Sequence, residues 1–521
     1  MRIERTKNAT RNIAVGMVLK IYQLLVPFII RTVMIHMLGM EYLGLNSLFT
    51  SILQVLNLAE LGVGSAMVFS MYKPIVEDDR TTINDLMKLY QVYYRIIGTI
   101  ILAVGVMLTP FIPKLIKSDV PQELNIYILY YLNLAATVLS YWLFAYKNCL
   151  LTAHQRNDVI SKVTIATNTV MYLGQILVLV LLKNYYAYLT IALVGQILLN
   201  IYTAKASDKM FPGYRPSKSF NKELAKGINQ RIRDLCTSKV GEIIVNSADS
   251  IVISAFLGLT ILASYNSYFY VLSAILSFVT LFLQACTAGI GNSLITETIE
   301  KNYKDLKKMT LMVVWIAGFC SCCLMCLYQP FMKLWIGENN ILSLGCVACF
   351  VIYFFFRCLN QLFVMYKDAA GMWHEDRFRP LTTALANLAL NLILVQFVGI
   401  YGVLLSTVIS TLVIGMPWLL HNLFSVIFHM NMNEFVKTLL FYITITILSV
   451  TITFGICQFT PSSGIWTLAI RLLICVCIPN CLYWFAFCHT REFQDAIIMM
   501  DKICKGKIKF LNILKKKYFK W

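Results

Sequence analysis

The sequence predicts an all-α polytopic membrane protein with about fourteen transmembrane helices, arranged as two pseudo-symmetric six-helix lobes plus two C-terminal helices. Three observations predict it. The 521-residue chain is 58% hydrophobic and only 14% charged, with a mean hydropathy of +0.69, whereas a soluble globular protein carries roughly 25% charged residues. Apolar stretches long enough to span a bilayer recur throughout, among them "IIGTIILAVGVMLTPFI" with its flanks and "FYITITILSVTITFGI". The connections between them alternate between short segments and basic-rich ones.

In chain order the spans fall near 12–38, 43–72, 85–113, 122–146, 159–182, 186–204 and 236–257, then 261–292, 309–335, 342–366, 380–398, 400–428, 435–457 and 464–488. The basic N-terminus "MRIERTKNATRN" leads into a long apolar stretch without a small-residue cleavage site, so it reads as a retained first helix rather than a signal peptide. With that terminus in the cytoplasm, only Lys114, Lys117, Lys183 and Lys333 of the 45 Lys and Arg residues fall in outer loops. The positive-inside rule then places both termini in the cytoplasm. Much of the +19 net charge is therefore topological, and no nucleic-acid partner is needed to explain it.

The polar, basic segment 205–235 reads as a cytoplasmic linker between an N-terminal lobe, 1–204, and a C-terminal lobe, 236–428. A repeat supports this division. "YKNCLLTAH" (146–154) and "YKDAAGMWH" (366–374) share Tyr-Lys and His, and the same spacing relates Asn46-Ser47 to Asn266-Ser267. Six helices per half gives both halves one topology, related by an axis along the membrane normal. The last two spans, within 429–488, are additions, and 489–521 is a basic cytoplasmic tail. Its end, "KICKGKIKFLNILKKKYFKW", mixes lysines with apolar residues, as in a segment lying on an anionic inner leaflet at about 1 kcal/mol per lysine.

Ionisable residues inside spans mark sites, because a charge at mid-bilayer costs at least about 2.5–3.5 kcal/mol and must face protein or water. Helical spacing sorts them into stripes. Lys20, Pro27 and Arg31 share a face of the first span, and Asn46, Thr50, Asn57, Glu60 and Gly64 share one of the second. Lys88, Gln91 and Arg95 follow on the third, and Lys239, Glu242, Asn246 and Asp249 on the seventh. Arg357 lies beside Asn360 and Gln361 on the tenth, and Thr383, Asn387 and Asn391 align on the eleventh. Either these stripes face a hydrated central cavity or they are hydrogen-bonded packing seams. The cavity reading is preferred, because a dry interior would have to pair every group. Lys162 and Arg471 read instead as side chains snorkelling to a membrane surface.

Glu60, in "NLAELGVGSAMVF" (57–69), has three open readings: counter-charge to a cavity base, proton-accepting switch, or carboxylate locking the second span to the first. Gly62, Gly64, Ser65 and Ala66 beside it permit close helix approach or a bend. The interior bases Lys20, Arg31, Arg95, Lys239 and Arg357 outnumber the interior acids Glu60, Glu242 and Asp249, and that sign suits a phosphate or diphosphate rather than an organic cation. Most of the 16 cysteines lie inside spans; "CSCCLMC" (320–326) has spacing suggestive of a metal or cluster site, but packing of small polarizable residues is the preferred reading and no metal is assigned. The six histidines offer no ligand pair.

The stretch "FIIRTVMIHMLGMEYLGLNSLFTSILQVLNLAELGVGSAMVFSMYKPI" resembles the N-terminal region of Wzx-type bacterial polysaccharide (O-antigen) flippases. These belong to the multidrug/oligosaccharidyl-lipid/polysaccharide exporter superfamily. "ADSIVISAFLGLTILASYNSYF", "KDAAGMWHEDRFRPL" and "GIYGVLLSTVIS" are similar to later blocks, so the resemblance covers about residues 10–430. It implies a MATE-like fold of two lobes around an alternately opening cavity in the bacterial cytoplasmic membrane. It implies a substrate too: undecaprenyl-diphosphate-linked oligosaccharide repeat units, turned from the inner to the outer leaflet for surface polysaccharide synthesis. Lys20, Arg31, Arg95, Lys239 and Arg357 are then candidates to bind the diphosphate and acidic sugars, with Glu60, Glu242 and Asp249 as counter-charges or coupling groups. Membrane lipids and other polysaccharide assembly proteins are the implied partners. No cofactor is expected, and coupling to a proton or sodium gradient is left open.

Two rival readings remain. A cation or drug antiporter of the same fold is disfavoured by the positive interior. An integral-membrane polysaccharide polymerase or glycosyltransferase is disfavoured because the chain has no Asp-x-Asp pair, no nucleophile elbow and no outer loop large enough for a site. A non-enzymatic transporter is expected.

Overall fold

A computed structural model describes residues 5–60, 62–117, 120–219, 222–460 and 465–503. The regular structure among them is helical, as expected. The chain divides into two compact units, Met1–Asn266 and Ser267–Trp521.

The first unit contains α1 (Arg5–Met37), α2 (Met40–Leu56), α3 (Val63–Val76), α4 (Arg80–Leu108), α5 (Ile126–Trp142), α6 (Asn148–Ala153), α7 (Asn157–Leu181), α8 (Tyr185–Met210) and α9 (Lys222–Leu257). Short polar caps fix where these helices start. Asp79 accepts from the Thr82 backbone N–H and hydroxyl to open α4, and Asn125 and Asn184 cap α5 and α8. Each cap satisfies an amide that the first turn leaves without a partner. The hydrogen bonds from Thr82 hold the Asp79 carboxyl below its ordinary range.

In this unit α7 packs between α1 and α8, α5 joins α8 to α4, and α9 lies along α2 and α3. The chain then turns through Gly258, at φ 97°, into α10 (Leu259–Thr296). A Cβ on Gly44 would collide with the Leu259 carbonyl, so only glycine lets α2 come this close to the start of α10. The end of α9 is tied down as well: Ser254 Oγ donates to the Leu115 carbonyl at 2.6 Å, and the Lys117 N–H donates to the Ser254 carbonyl at 3.2 Å.

The second unit centres on α11 (Ile299–Ile336), which packs against α12 (Leu344–Ala369), α16 (Asn433–Gln458), α17 (Ile465–Phe487) and α18 (Arg491–Ile503). The helices α13 (Arg379–Val398) and α14 (Ile400–Ser410) form a tight pair, continued by α15 (Met416–Leu423). Asn387 and Asn391 are fully buried there and bond to Thr407 and Ser406. Their stripe is thus a dry packing seam and not a cavity wall. The short α18 lays Phe493, Ala496 and Ile497 into the core, with Phe493 stacked on Trp315 at 5.6 Å. The lysine-rich end of the tail, 504–521, lies outside the described residues.

Among the described residues, eleven helices are long and apolar enough to cross a membrane, or twelve if α5 and the 145–153 segment, bent by 47°, form one span. The other two expected spans, 43–72 and 236–257, are helical. The first is broken at Asn57–Glu60 into α2 and α3. In the second, Ser247–Leu257 forms a shorter apolar stretch of α9.

Candidate functional site

At the break in the second span, α2 tightens into a 3-10 turn at Asn57–Glu60, and Gly62 takes a left-handed φ of 82° before α3 begins. That conformation is cheap only for glycine. The turn swings Glu60 toward α4 and α5. Tyr94 donates to Glu60 Oε1 at 2.7 Å, and Tyr141 donates to Oε2 at 2.7 Å while also reaching Asn57 Oδ1 at 3.2 Å. Tyr90 in turn donates to the Tyr94 hydroxyl at 2.5 Å. All three tyrosines are buried, and Tyr94 meets Tyr141 edge-on at 5.4 Å. Glu60 itself is half-buried.

Tyr90 also forms one wall of a pocket of about 510 Å³, lined by Gly64, Ser65, Tyr72, Asn148 and Thr152 among others. That volume lies in the range of small-molecule sites. The lining mixes hydroxyl, amide and aromatic groups and carries no formal charge. A line of hydroxyls therefore runs from the pocket through Tyr90 and Tyr94 to Glu60. It can bind a polar uncharged group at one end and rearrange around a proton at the other. A protonated Glu60 must donate a hydrogen bond, which forces one tyrosine to give up its role as donor. The sequence reading missed Tyr90, Tyr94 and Tyr141. In apolar runs tyrosine reads as core, and only the i, i+4 spacing of Tyr90 and Tyr94 hinted at a shared face.

The other predicted residues occupy separate places. Lys20 is exposed and Arg31 half-buried on α1, the latter within electrostatic reach of Tyr188. Arg95 is exposed on α4, next to Tyr94, and its carbonyl accepts from Trp142 Nε1 at 3.2 Å. Asp249 is buried and accepts from the Tyr265 hydroxyl at 3.2 Å. Arg357 is half-buried on α12 in the second unit. The side chains of Lys239 and Glu242 lie outside the described residues. Among the described residues, Glu60, Lys20, Arg95 and Arg357 form no ion pair.

Ion pairs concentrate instead at two corners. Buried Asp158 is gripped by Arg11 and Arg156, each at 2.9 Å, and by Lys162 at 3.8 Å. Asn12 accepts from the Asp158 N–H and donates to the Gln155 carbonyl, which pins α1 to the start of α7. In the second unit, buried Asp376 is held by Arg379 at 2.5 Å and Lys367 at 3.7 Å. Each corner follows a Tyr-Lys…His stretch of the repeat. His154 is enclosed between its bond to the Leu150 carbonyl and the Phe211 ring, and burial pushes its pKa down.

The family model of polysaccharide biosynthesis proteins matches residues 9–288, more than half of the chain. The chain belongs to the polysaccharide biosynthesis protein family. Its fold is that of known flippases and exporters. It superposes on the lipid II flippase MurJ, in an inward closed conformation, with a TM-score of 0.65 at 15% identity, covering 91% of this chain and 99% of that one. An inward-facing multidrug resistance MATE family transporter of the MOP superfamily gives 0.56 at 14% identity, over 79% and 96% of the two chains. The Vibrio cholerae MATE transporter VcmN gives 0.53 at 12% identity, over 79% and 95%. Among curated proteins, none matches by sequence. The family assignment and the helices together establish a multi-pass membrane protein of the polysaccharide biosynthesis family.

Proposed function

We propose that this member of the family is a flippase that moves undecaprenyl-diphosphate-linked oligosaccharide across the bacterial cytoplasmic membrane by alternating access. The observation that carries the proposal is basic charge left unneutralised on spanning helices. Lys20 and Arg95 are exposed, and among the described residues neither forms an ion pair. A lone cation there costs at least about 2.5–3.5 kcal/mol unless water or an anion meets it. A hydrated cavity visited by a diphosphate supplies both. Lys20, Arg31, Arg95, Lys239 and Arg357 would bind the diphosphate and acidic sugars, the sugar chain crossing through the cavity and the lipid tail remaining in the bilayer. The aromatic and hydroxyl lining of the pocket beside Tyr90 suits sugar rings, which stack on aromatic faces and hydrogen-bond at their edges.

The two lobes, 1–204 and 236–428 joined by the linker 205–235, would rock about the site, with 429–488 and the tail 489–521 appended and both termini in the cytoplasm. Glu60, Glu242 and Asp249 are the candidates to couple the movement to protons or sodium. Glu60 is the foremost of these, because its two hydroxyl partners must reorganise when it gains a proton.

The test combines Lys20→Ala with Arg31→Ala and measures surface polysaccharide at matched protein levels. The expected result is a severe loss of polymer. Normal output would sink the cationic cavity. Transport of cationic dyes in place of a lipid-linked glycan would favour an antiporter.

A further inference from the structure

Three helices of the second unit bring cysteines to one point. Cys326 on α11, Cys457 on α16 and Cys475 on α17 are fully buried, and their sulfurs all lie within 4.8 Å of one another. Cys323, one turn before Cys326 on α11, packs against the group. Packing alone explains a buried thiol on one helix. It does not explain three helices each presenting one at the same place.

A second observation concerns charge. Arg471 lies one turn from Cys475 on α17. It bonds to the Cys326 carbonyl at 3.2 Å and to Thr460 Oγ1 at 2.8 Å. Among the described residues it has no carboxylate partner. A guanidinium held in a spanning helix against neutral thiols is costly. Against thiolates it is a counter-charge.

We propose that Cys326, Cys457 and Cys475 form a three-thiolate site for one thiophilic d10 cation that fastens α16 and α17 to α11. Metal–sulfur bonds of about 2.3 Å in a tetrahedral site place the sulfurs roughly 3.8 Å apart, so side-chain rotation of about 1 Å closes the site. Each ligating thiol gives up a proton on binding. Three thiolates on Zn²⁺ leave one negative charge, which Arg471 balances; Cu⁺ on the same three would leave two. The charge therefore selects Zn²⁺.

The full-length protein, purified in detergent, is loaded with Zn²⁺, dialysed and assayed for metal by mass spectrometry. The expected content is about one zinc per chain, falling near zero in the Cys326→Ser/Cys475→Ser variant. Cys477→Ser, exposed on the same helix, should leave it unchanged. Co²⁺ loaded into the unmutated protein should give thiolate-to-metal charge-transfer absorption, and this readout does not depend on whether a serine variant folds. The proposal is overturned if the unmutated protein retains neither metal. It also fails if metal content is the same in the double serine variant, or if peptide mapping finds Cys326 joined to Cys457 or Cys475 as a disulfide in protein prepared without oxidant.

Discussion

Glu60 shows how a spanning helix can hold a carboxylate without an ion pair. Its two oxygens each accept from a buried tyrosine hydroxyl, and a charged acceptor makes such bonds worth about 1.5–3 kcal/mol. Tyr94→Phe and Tyr141→Phe should each lower the melting temperature in detergent. In a Glu60→Gln background each should cost less, because a neutral amide gains less from the same donor. A thermodynamic cycle for each tyrosine, six proteins in all, checks this, and full additivity would mean that the tyrosines act only through packing. The anomaly of Glu60 itself was legible in the sequence, since a carboxylate in an apolar run is conspicuous. Its partners were not, because nothing in one sequence says which face of α4 and α5 meets the turn. Arg471 was legible as a lone arginine near a span end, but its bond to the Cys326 carbonyl, far away in sequence, was not.

At the scale of elements, the two expected spans that are interrupted or charged, 43–72 and 236–257, are the informative ones. The glycine- and serine-rich run after Glu60 permitted a bend, and the chain breaks there at Gly62. The charged face of 236–257 was legible as periodicity, while its docking along α2 depends on a contact far away in sequence. That docking depends on Gly44, where a methyl group would strike backbone that has no rotamer to move away with. Gly44→Ala should therefore destabilise the protein by about 1–3 kcal/mol. Gly455→Ala, in a helix with open space around the new carbon, should be neutral or slightly stabilising. The two are compared by thermal melting in one detergent, and equal melting temperatures would mean that α2 and α10 do not meet as described.

Across the whole molecule, the repeat seen in sequence has a structural counterpart in chemistry rather than in residue identity. Asp158 and Asp376 each sit buried just beyond a Tyr-Lys…His stretch, clamped by basic side chains where two helices meet. A buried carboxylate of this kind is stable only while its cations remain, so each corner ties its own helices together, in connections that the charge distribution leads one to expect in the cytoplasm. The same distribution makes a test of orientation. Lys183 occupies the short turn between α7 and α8, one of the few basic residues in segments assigned outside, whereas Lys218 lies in the basic connection between α8 and α9. With Lys183→Cys, a membrane-impermeant maleimide should label intact cells. With Lys218→Cys, labelling should require permeabilisation. The unmutated protein measures the background from its own cysteines, of which Cys477 and Cys481 are exposed within α17. Labelling in the reverse pattern would turn the molecule over. The diphosphate would then have to enter from the opposite leaflet.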